Sequence, residues 1–177
     1  MKAINSKISK KFLDLASQEL QGDWVIMGGA VMVLLGVSER FTVDIDLAGP
    51  ETATQADTLK LMTIAEKIGL APEAINQAGA FFLNRIPHWK ENLVTIVRNE
   101  KFTLSRPNSF LFLQLKMARL SESDLSDCIN MLKIEPITAK QVKVLKTEIT
   151  RASKNSKATN EFRNRCAVLF KKLEELS

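Results

Sequence analysis

The chain has 177 residues, of which 45% are apolar and 25% are charged. This composition is typical of one globular domain, with or without a helical appendage, and excludes collagen-like and disordered chains. Cys128 and Cys166 are far apart in sequence and His88 is the only histidine. A disulfide framework and a zinc site of His and Cys ligands are therefore excluded, so that a metal site would need carboxylates, which favour a hard ion such as Mg²⁺.

No apolar run is long enough to span a membrane, and the N-terminal segment has lysines but no continuous apolar core. We therefore expect a cytoplasmic protein with no membrane partner. The net charge of +5 is unevenly distributed, because residues 133–177 contain 11 Lys and Arg against 5 Asp and Glu. This asymmetry favours an anionic partner, and nucleic acid first, although surplus lysine on a solvated helical face is the alternative.

Hydrophobic periodicity predicts alternating helices and strands, followed by helices alone. In chain order, helices are predicted over 8–20, 30–37 and 54–68, and strands over 24–27, 41–47, 80–83, 93–97 and 102–104. The segment 72–79 is predicted to be irregular or a short helix. Further helices are predicted over 109–120, 121–133, 138–152 and 159–176. This order indicates an α+β (α/β-like) fold, with a small mixed sheet in residues 1–106 and a helical C-terminal region in residues 107–177.

Two glycines, Gly28 and Gly29, lie between a predicted strand and a predicted helix. Glycines at such a turn let backbone N–H groups approach a phosphate, although a simple tight turn has the same pattern. Downstream, Asp44 and Asp46 alternate with apolar residues, which places both on one strand face with Cα atoms ~6.6 Å apart. Their carboxylates could converge on one or two divalent cations, and the alternative is an acidic outer face.

The order Gly28-Gly29, short helix, Thr42-Val43-Asp44-Ile45-Asp46-Leu47 resembles the signature of the DNA polymerase β-like nucleotidyltransferase superfamily. Residues 83–89, which include Pro87 and Trp89, resemble the Leu-Pro-Gly-Trp segment of bacterial nucleotidyltransferase-like proteins of the abortive-infection AbiEii and toxin type. Lys116-Met117-Ala118-Arg119 and Asp124-Leu125-Ser126-Asp127 resemble the helical Lys…Arg…Asp-x-x-Asp motif of that group. The resemblance spans about residues 24–133.

The resemblance implies a nucleotidyltransferase core and roles for the residues that carry the motifs. Gly28 and Gly29 would hold nucleotide phosphates, and Asp44 and Asp46 would be catalytic and bind Mg²⁺. Thr42 would lie beside the carboxylates and phosphates, and Lys116 would neutralise the triphosphate. Asp124 or Asp127 would orient Lys116 or transfer a proton, and Arg119 would bind the substrate. On this basis Lys116→Ala is expected to weaken NTP binding and leave the melting temperature nearly unchanged.

The implied activity is transfer of a nucleotide from an NTP to an RNA, with tRNA first, or to a protein. The implied setting is a toxin–antitoxin or phage-defence system, with a cognate antitoxin as a possible partner. In the basic C-terminal region, we expect Lys140, Lys143 and Lys146 to face solvent and to contact an RNA acceptor.

One departure from the pattern concerns a third core carboxylate. Thr95 stands where this acid is expected, and Glu91 and Glu100 only flank the strand. This departure leaves open a catalytically degenerate member that binds nucleotide or a partner protein. A basic RNA-binding module with an incidental acidic strand is a further alternative.

Overall fold

A computed structural model describes residues 3–37 and 42–176 and divides the chain into two compact units, residues 1–107 and 108–177. The first unit contains α1 (Ser6–Glu19), β1 (Gly22–Met27), α2 (Gly29–Leu34), β2 (Ile45–Ala48), α3 (Gln55–Lys67), β3 (Ile75–Asn76), α4 (Gly79–Leu83), β4 (Leu93–Arg98) and β5 (Phe102–Pro107). Short 3₁₀ helices cover Pro72–Ala74 and Trp89–Asn92. The second unit contains α5 (Ser109–Met117), α6 (Glu122–Ile134), α7 (Ala139–Ser153) and α8 (Asn160–Glu174).

The strands of the first unit form one mixed sheet in the order β3-β2-β1-β5-β4. β1 is antiparallel to β2 and parallel to β5, whereas β3 is parallel to β2 and β4 is antiparallel to β5. This arrangement of a mixed sheet with helices confirms the predicted α+β class.

The strand register sorts the side chains onto two faces, because paired residues of neighbouring strands point to the same side. One face is apolar and its residues are at most 2% exposed: Trp24, Ile26, Ile45, Leu47, Phe102 and Leu104. Asp46 lies on the other face of the sheet, where it is paired with Met27 of β1. α4 begins over that face, since a Cβ on Gly79 would come within 1.7 Å of the Met27 methyl.

Each helix of the second unit is preceded by a polar residue that caps its N-terminus. At each N-terminus a side-chain oxygen accepts a backbone N–H three residues further on, which satisfies one of the helix's unpaired donors. The capping residues are Asn108, Ser121, Thr138 and Thr159. These caps and the apolar stripes explain why the four predicted helices are confirmed, with ends shifted by a few residues. None of the helices within residues 3–37 and 42–176 combines the length and the apolar character that crossing a membrane requires.

Two strand predictions are wrong in part or in whole. The segment 80–83 is helical and belongs to α4, because a four-residue apolar run fits a buried helix turn as well as a strand. The predicted strand over 41–47 is shorter: β2 begins at Ile45, and the chain bends at Val43, whose side chain is 39% exposed. Phe41, the first residue of that prediction, lies outside the described residues.

Candidate active site

The turn between β1 and α2 lies directly against the Asp46 carboxylate. Gly28 has a φ of +67°, a conformation that favours glycine, and a Cβ at this position would lie 2.0 Å from Oδ2 of Asp46. The register explains this closeness, because Met27, the residue before Gly28, pairs with Asp46 across β1 and β2. The structure therefore brings together two of the predicted elements, the glycine turn and the second aspartate.

On its other side, the Asp46 carboxylate is held by Asn76 from β3. Nδ2 of Asn76 donates a hydrogen bond of 2.7 Å to Oδ1 of Asp46, and the two residues are paired in the parallel register of β2 and β3. No sequence pattern marked Asn76, because a two-residue strand is too short to show periodicity. The available signal was an apolar residue, Ile75, followed by a polar amide directly after Pro72–Ala74.

Asp44 lies one residue before β2 and is held by a different donor. The hydroxyl of Thr42, which is buried, donates a hydrogen bond of 2.8 Å to Oδ1 of Asp44. The backbone carbonyl of Thr42 accepts the N–H of Ile4 at 2.8 Å, which fixes this segment against the start of the chain. Within residues 3–37 and 42–176, neither Asp44 nor Asp46 forms an ion pair with Lys or Arg.

A third carboxylate does not join this pair from the strand where one was expected. Thr95 is on β4, which is separated from β2 by β1 and β5. Three strand spacings amount to about 14 Å, so that no side chain at position 95 could share a ligand with Asp46. Glu91 lies 3.2 Å from the His88 ring, and the described residues contain no group of three His, Cys, Asp or Glu residues that could hold a metal ion.

The donor set of the site fits Mg²⁺ in its chemistry. Asp44 and Asp46 offer oxygen ligands only, which is what a hard divalent cation prefers, and Mg²⁺ is commonly bound through one or two carboxylates together with substrate phosphates. Because Gly28 has no side chain, Oδ2 of Asp46 can lie against the glycine turn, where a Cβ would displace it. The two carboxylates are therefore the residues that would hold the ion.

The predicted motif on α5 and α6 forms a buried charged cluster within the second unit. Lys116 donates to Asp124 at 2.9 Å and to Asp127 at 3.0 Å, and the side chains of the three residues are 10%, 1% and 3% exposed. Arg119 adds two hydrogen bonds to Asp124, of 2.7 and 2.9 Å, and its own side chain is 73% exposed. Asp124 also closes a capping box with Ser121 at the start of α6. Both aspartates therefore contact Lys116 within the second unit.

Burial and hydrogen bonding have opposite effects on the pKa of Asp124 in this cluster. Burial on its own would raise the pKa of Asp124, but the hydrogen bonds from Arg119 and Lys116 outweigh it and hold this pKa well below its usual range. The neighbouring Cys128 is fully buried, and burial raises the pKa of its thiol. Cys128 is consequently an unreactive core residue.

The segment that resembles Leu-Pro-Gly-Trp has His88 at the glycine position. His88 adopts a φ of +57° at the start of the Trp89–Asn92 3₁₀ helix, which is the left-handed conformation that glycine favours. The turn predicted around Pro87 is therefore present, and the histidine adopts the backbone conformation of the residue it replaces.

Comparison with known proteins assigns the chain to a family. Residues 3–175 match the family described as nucleotidyltransferase of unknown function (DUF6036). The match covers nearly the whole chain, so the protein belongs to this nucleotidyltransferase family. No curated protein and no solved structure is significantly similar to the chain.

Proposed function

We propose that this protein transfers a nucleotide from an NTP to an acceptor hydroxyl: the hydroxyl oxygen bonds to the α-phosphorus, the bond to the β-phosphate breaks, pyrophosphate leaves and the hydroxyl proton passes to solvent. The observation that carries the proposal is the Asp46 carboxylate, which lies directly against the Gly28 turn in a chain of a nucleotidyltransferase family. Backbone N–H groups at Gly28 and Gly29 would hold the phosphates beside the carboxylates that hold the metal ion. Such a transfer depends mainly on positioning and charge neutralisation, because the protein itself forms no covalent bond with the nucleotide.

The residues of the chain have separate tasks in this proposal. Asp44 and Asp46 hold Mg²⁺, and Thr42 fixes the Asp44 carboxylate by its hydrogen bond. When bound, the ion neutralises charge on the phosphates and polarises them toward in-line attack. The resemblance, and not a measured distance, assigns Lys116 to the triphosphate and Arg119 to the substrate; within the second unit both cations bind Asp124.

The acceptor that best fits the second unit is RNA, with tRNA as the first choice. One groove along α7 and α8 is lined by four cations, namely Lys143, Lys146, Arg151 and Lys154, with Phe170 among its apolar residues. Lys146 is engaged, because it lies 4.7 Å from the centre of the Phe170 ring and 3.5 Å from Glu174. The other three form no ion pair within the described residues, and eleven residues of helix spread them over about 16 Å, which suits several phosphates of one strand.

The resemblance to the AbiEii and toxin type supports a more specific biological setting. In that setting the transferase is the toxic or defensive component of a two-protein system, and a cognate antitoxin protein restrains it. The resemblance of residues 83–89 and of the Lys116–Asp127 motif supports this assignment, and the left-handed backbone at His88 agrees with it.

A second candidate function is binding without turnover. The observation that favours it is that the described residues contain no cluster of three acids, so that the site has two carboxylates only. In this alternative the protein binds a nucleotide or a partner protein with the same residues.

Incubation of the purified chain with each labelled NTP, Mg²⁺ and total RNA or protein separates the two candidates. A transferase attaches the label covalently to an acceptor. A protein that only binds nucleotide leaves all of the label in nucleotide that denaturation releases. Asp46→Asn is the matched inactive variant, since it keeps the size of the side chain and removes its charge.

A further inference from the structure

We propose that Asn76 is a positioning residue of the metal site and orients Asp46 without adding a third negative charge. The inference rests on the proposed function, because it assigns a role to Asn76 only if Asp46 binds a cation. Nothing in the sequence motif points to this residue, which belongs to the shortest strand of the sheet.

Both ends of the Asn76 amide are occupied, which fixes its orientation. Nδ2 donates to Oδ1 of Asp46 at 2.7 Å, and Oδ1 of Asn76 accepts the backbone N–H of Ala78 at 3.2 Å. The amide nitrogen therefore faces the carboxylate, and the amide oxygen is directed to the backbone. A group bonded in this way orients a metal ligand and is not a ligand itself.

The Asp46 carboxylate is consequently held from two sides. Asn76 binds Oδ1, and Oδ2 lies against the backbone of Gly28. The register of β2 with both neighbouring strands places these contacts in one row across the sheet, from Asn76 through Asp46 to Met27. A carboxylate fixed in this manner loses little side-chain entropy when it binds an ion, which raises its affinity.

The neutrality of Asn76 has a consequence for the charge of the site. An acid at position 76 would be in hydrogen-bond range of Asp46 and would raise the site from two to three carboxylates. Affinity for a divalent cation increases with the number of charged ligands. The neutral amide therefore limits the affinity of the site for the free cation. More of the cation's charge is then left to be neutralised by the phosphates of a bound nucleotide.

The test is the affinity of the full chain for Mn²⁺, which replaces Mg²⁺ and is detected by electron paramagnetic resonance, without nucleotide or acceptor. Asn76→Ala should weaken Mn²⁺ binding by about tenfold or more, the usual effect of losing a group that orients a metal ligand. Asn76→Asp should shift the affinity in the opposite direction. Gln77→Ala is the matched control, because Gln77 is the adjacent amide and bonds Thr58 at 2.9 Å instead of the site.

Opposite shifts of the two Asn76 variants support the inference, because a purely structural residue would change the melting temperature and leave Mn²⁺ affinity alone. Unchanged affinity in both variants, with a wild-type chain that binds Mn²⁺, overturns the inference and leaves the proposed transfer standing. A wild-type chain that binds no Mn²⁺ overturns the inference and the metal-dependent transfer together. If Asn76→Ala does not fold, Asn76→Asp decides alone, since it keeps the shape of the side chain: tighter binding supports the inference, and unchanged or weaker binding overturns it.

Discussion

Gly28 and Asp46 touch so closely that a methyl group on Gly28 would lie 2.0 Å from Oδ2 of the carboxylate. Two residues that are far apart in sequence therefore act as one structural element. The contact depends on two conditions, a left-handed backbone at position 28 and the pairing of Met27 with Asp46. Each condition can be disturbed separately.

Gly28→Ala should abolish Mn²⁺ binding and nucleotide transfer, because the new methyl group displaces the Asp46 carboxylate. Gly36→Ala is the matched control. Gly36 has a φ of +80°, similar to that of Gly28, but a Cβ there meets no atom within 4 Å. Both variants should lose unfolding free energy on the order of 1–3 kcal/mol because of the positive φ, with the larger loss for Gly28→Ala, and only Gly28→Ala should lose the ion. Equal Mn²⁺ affinity in the two variants would refute the contact.

Lys116→Ala should lower the free energy of unfolding by about 3–5 kcal/mol, because it leaves two buried aspartates without their shared cation. This prediction differs from the expectation from sequence that the melting temperature would hardly change, because the two aspartate side chains are at most 3% exposed. Chemical denaturation measures the effect. The control is Lys140→Ala on the exposed side of α7, where we expect almost no change. A loss no larger than that of the control would show that the cluster is not structural.

The low pKa of Asp124 predicts how the cluster responds to acid. A folded-state pKa below the unfolded value of about 3.9 means that the carboxylate stabilises the fold fully above that value and loses this effect as the pH falls through the folded pKa. The difference in unfolding free energy between wild type and Asp124→Asn should therefore shrink between about pH 5 and pH 2. The exposed Asp14→Asn provides the comparison and should show a small difference throughout. A wild-type advantage that grew on acidification would have the wrong sign for this account.

The sequence predicts the helices of the second unit better than it predicts the candidate site. The helices of the second unit follow from periodicity and from capping residues such as Ser121 and Thr138, which are local signals. The site is only partly local. Gly28 and Asp46 are recognisable as a pattern, but Asn76 joins them through a strand pairing that no periodicity reveals. The placement of Thr95 three strands away is equally a property of the sheet order.

The structure also sharpens the prediction for RNA binding. Of the three lysines selected from sequence, Lys143 and Lys146 line the basic groove and Lys140 does not; Arg151 and Lys154 line it as well. Replacing Lys143, Arg151 and Lys154 by Gln should flatten the dependence of RNA affinity on salt. Three phosphate contacts correspond to a log–log slope of about −2 for a single strand, and this contribution should disappear.

The matched control for this experiment changes the same number of charges elsewhere in the second unit. Replacing Lys133, Lys140 and Lys157 by Gln removes three exposed cations that do not line the groove. NTP affinity should be unaffected in both variants. An equal change of slope in both would show that RNA contacts the unit by overall charge and not through the groove.

The central claim is the transfer of a nucleotide by a site built on Asp46, and the position of the label in the NTP tests it most directly. Parallel reactions contain NTP labelled at the α-phosphate or at the γ-phosphate, with Mg²⁺ and total RNA, and compare wild type with Asp46→Asn. The account predicts that label from the α-phosphate becomes covalently attached to an acceptor, that label from the γ-phosphate does not, and that Asp46→Asn abolishes the attachment. Attachment of the γ-label, or undiminished α-label with Asp46→Asn, would contradict the account.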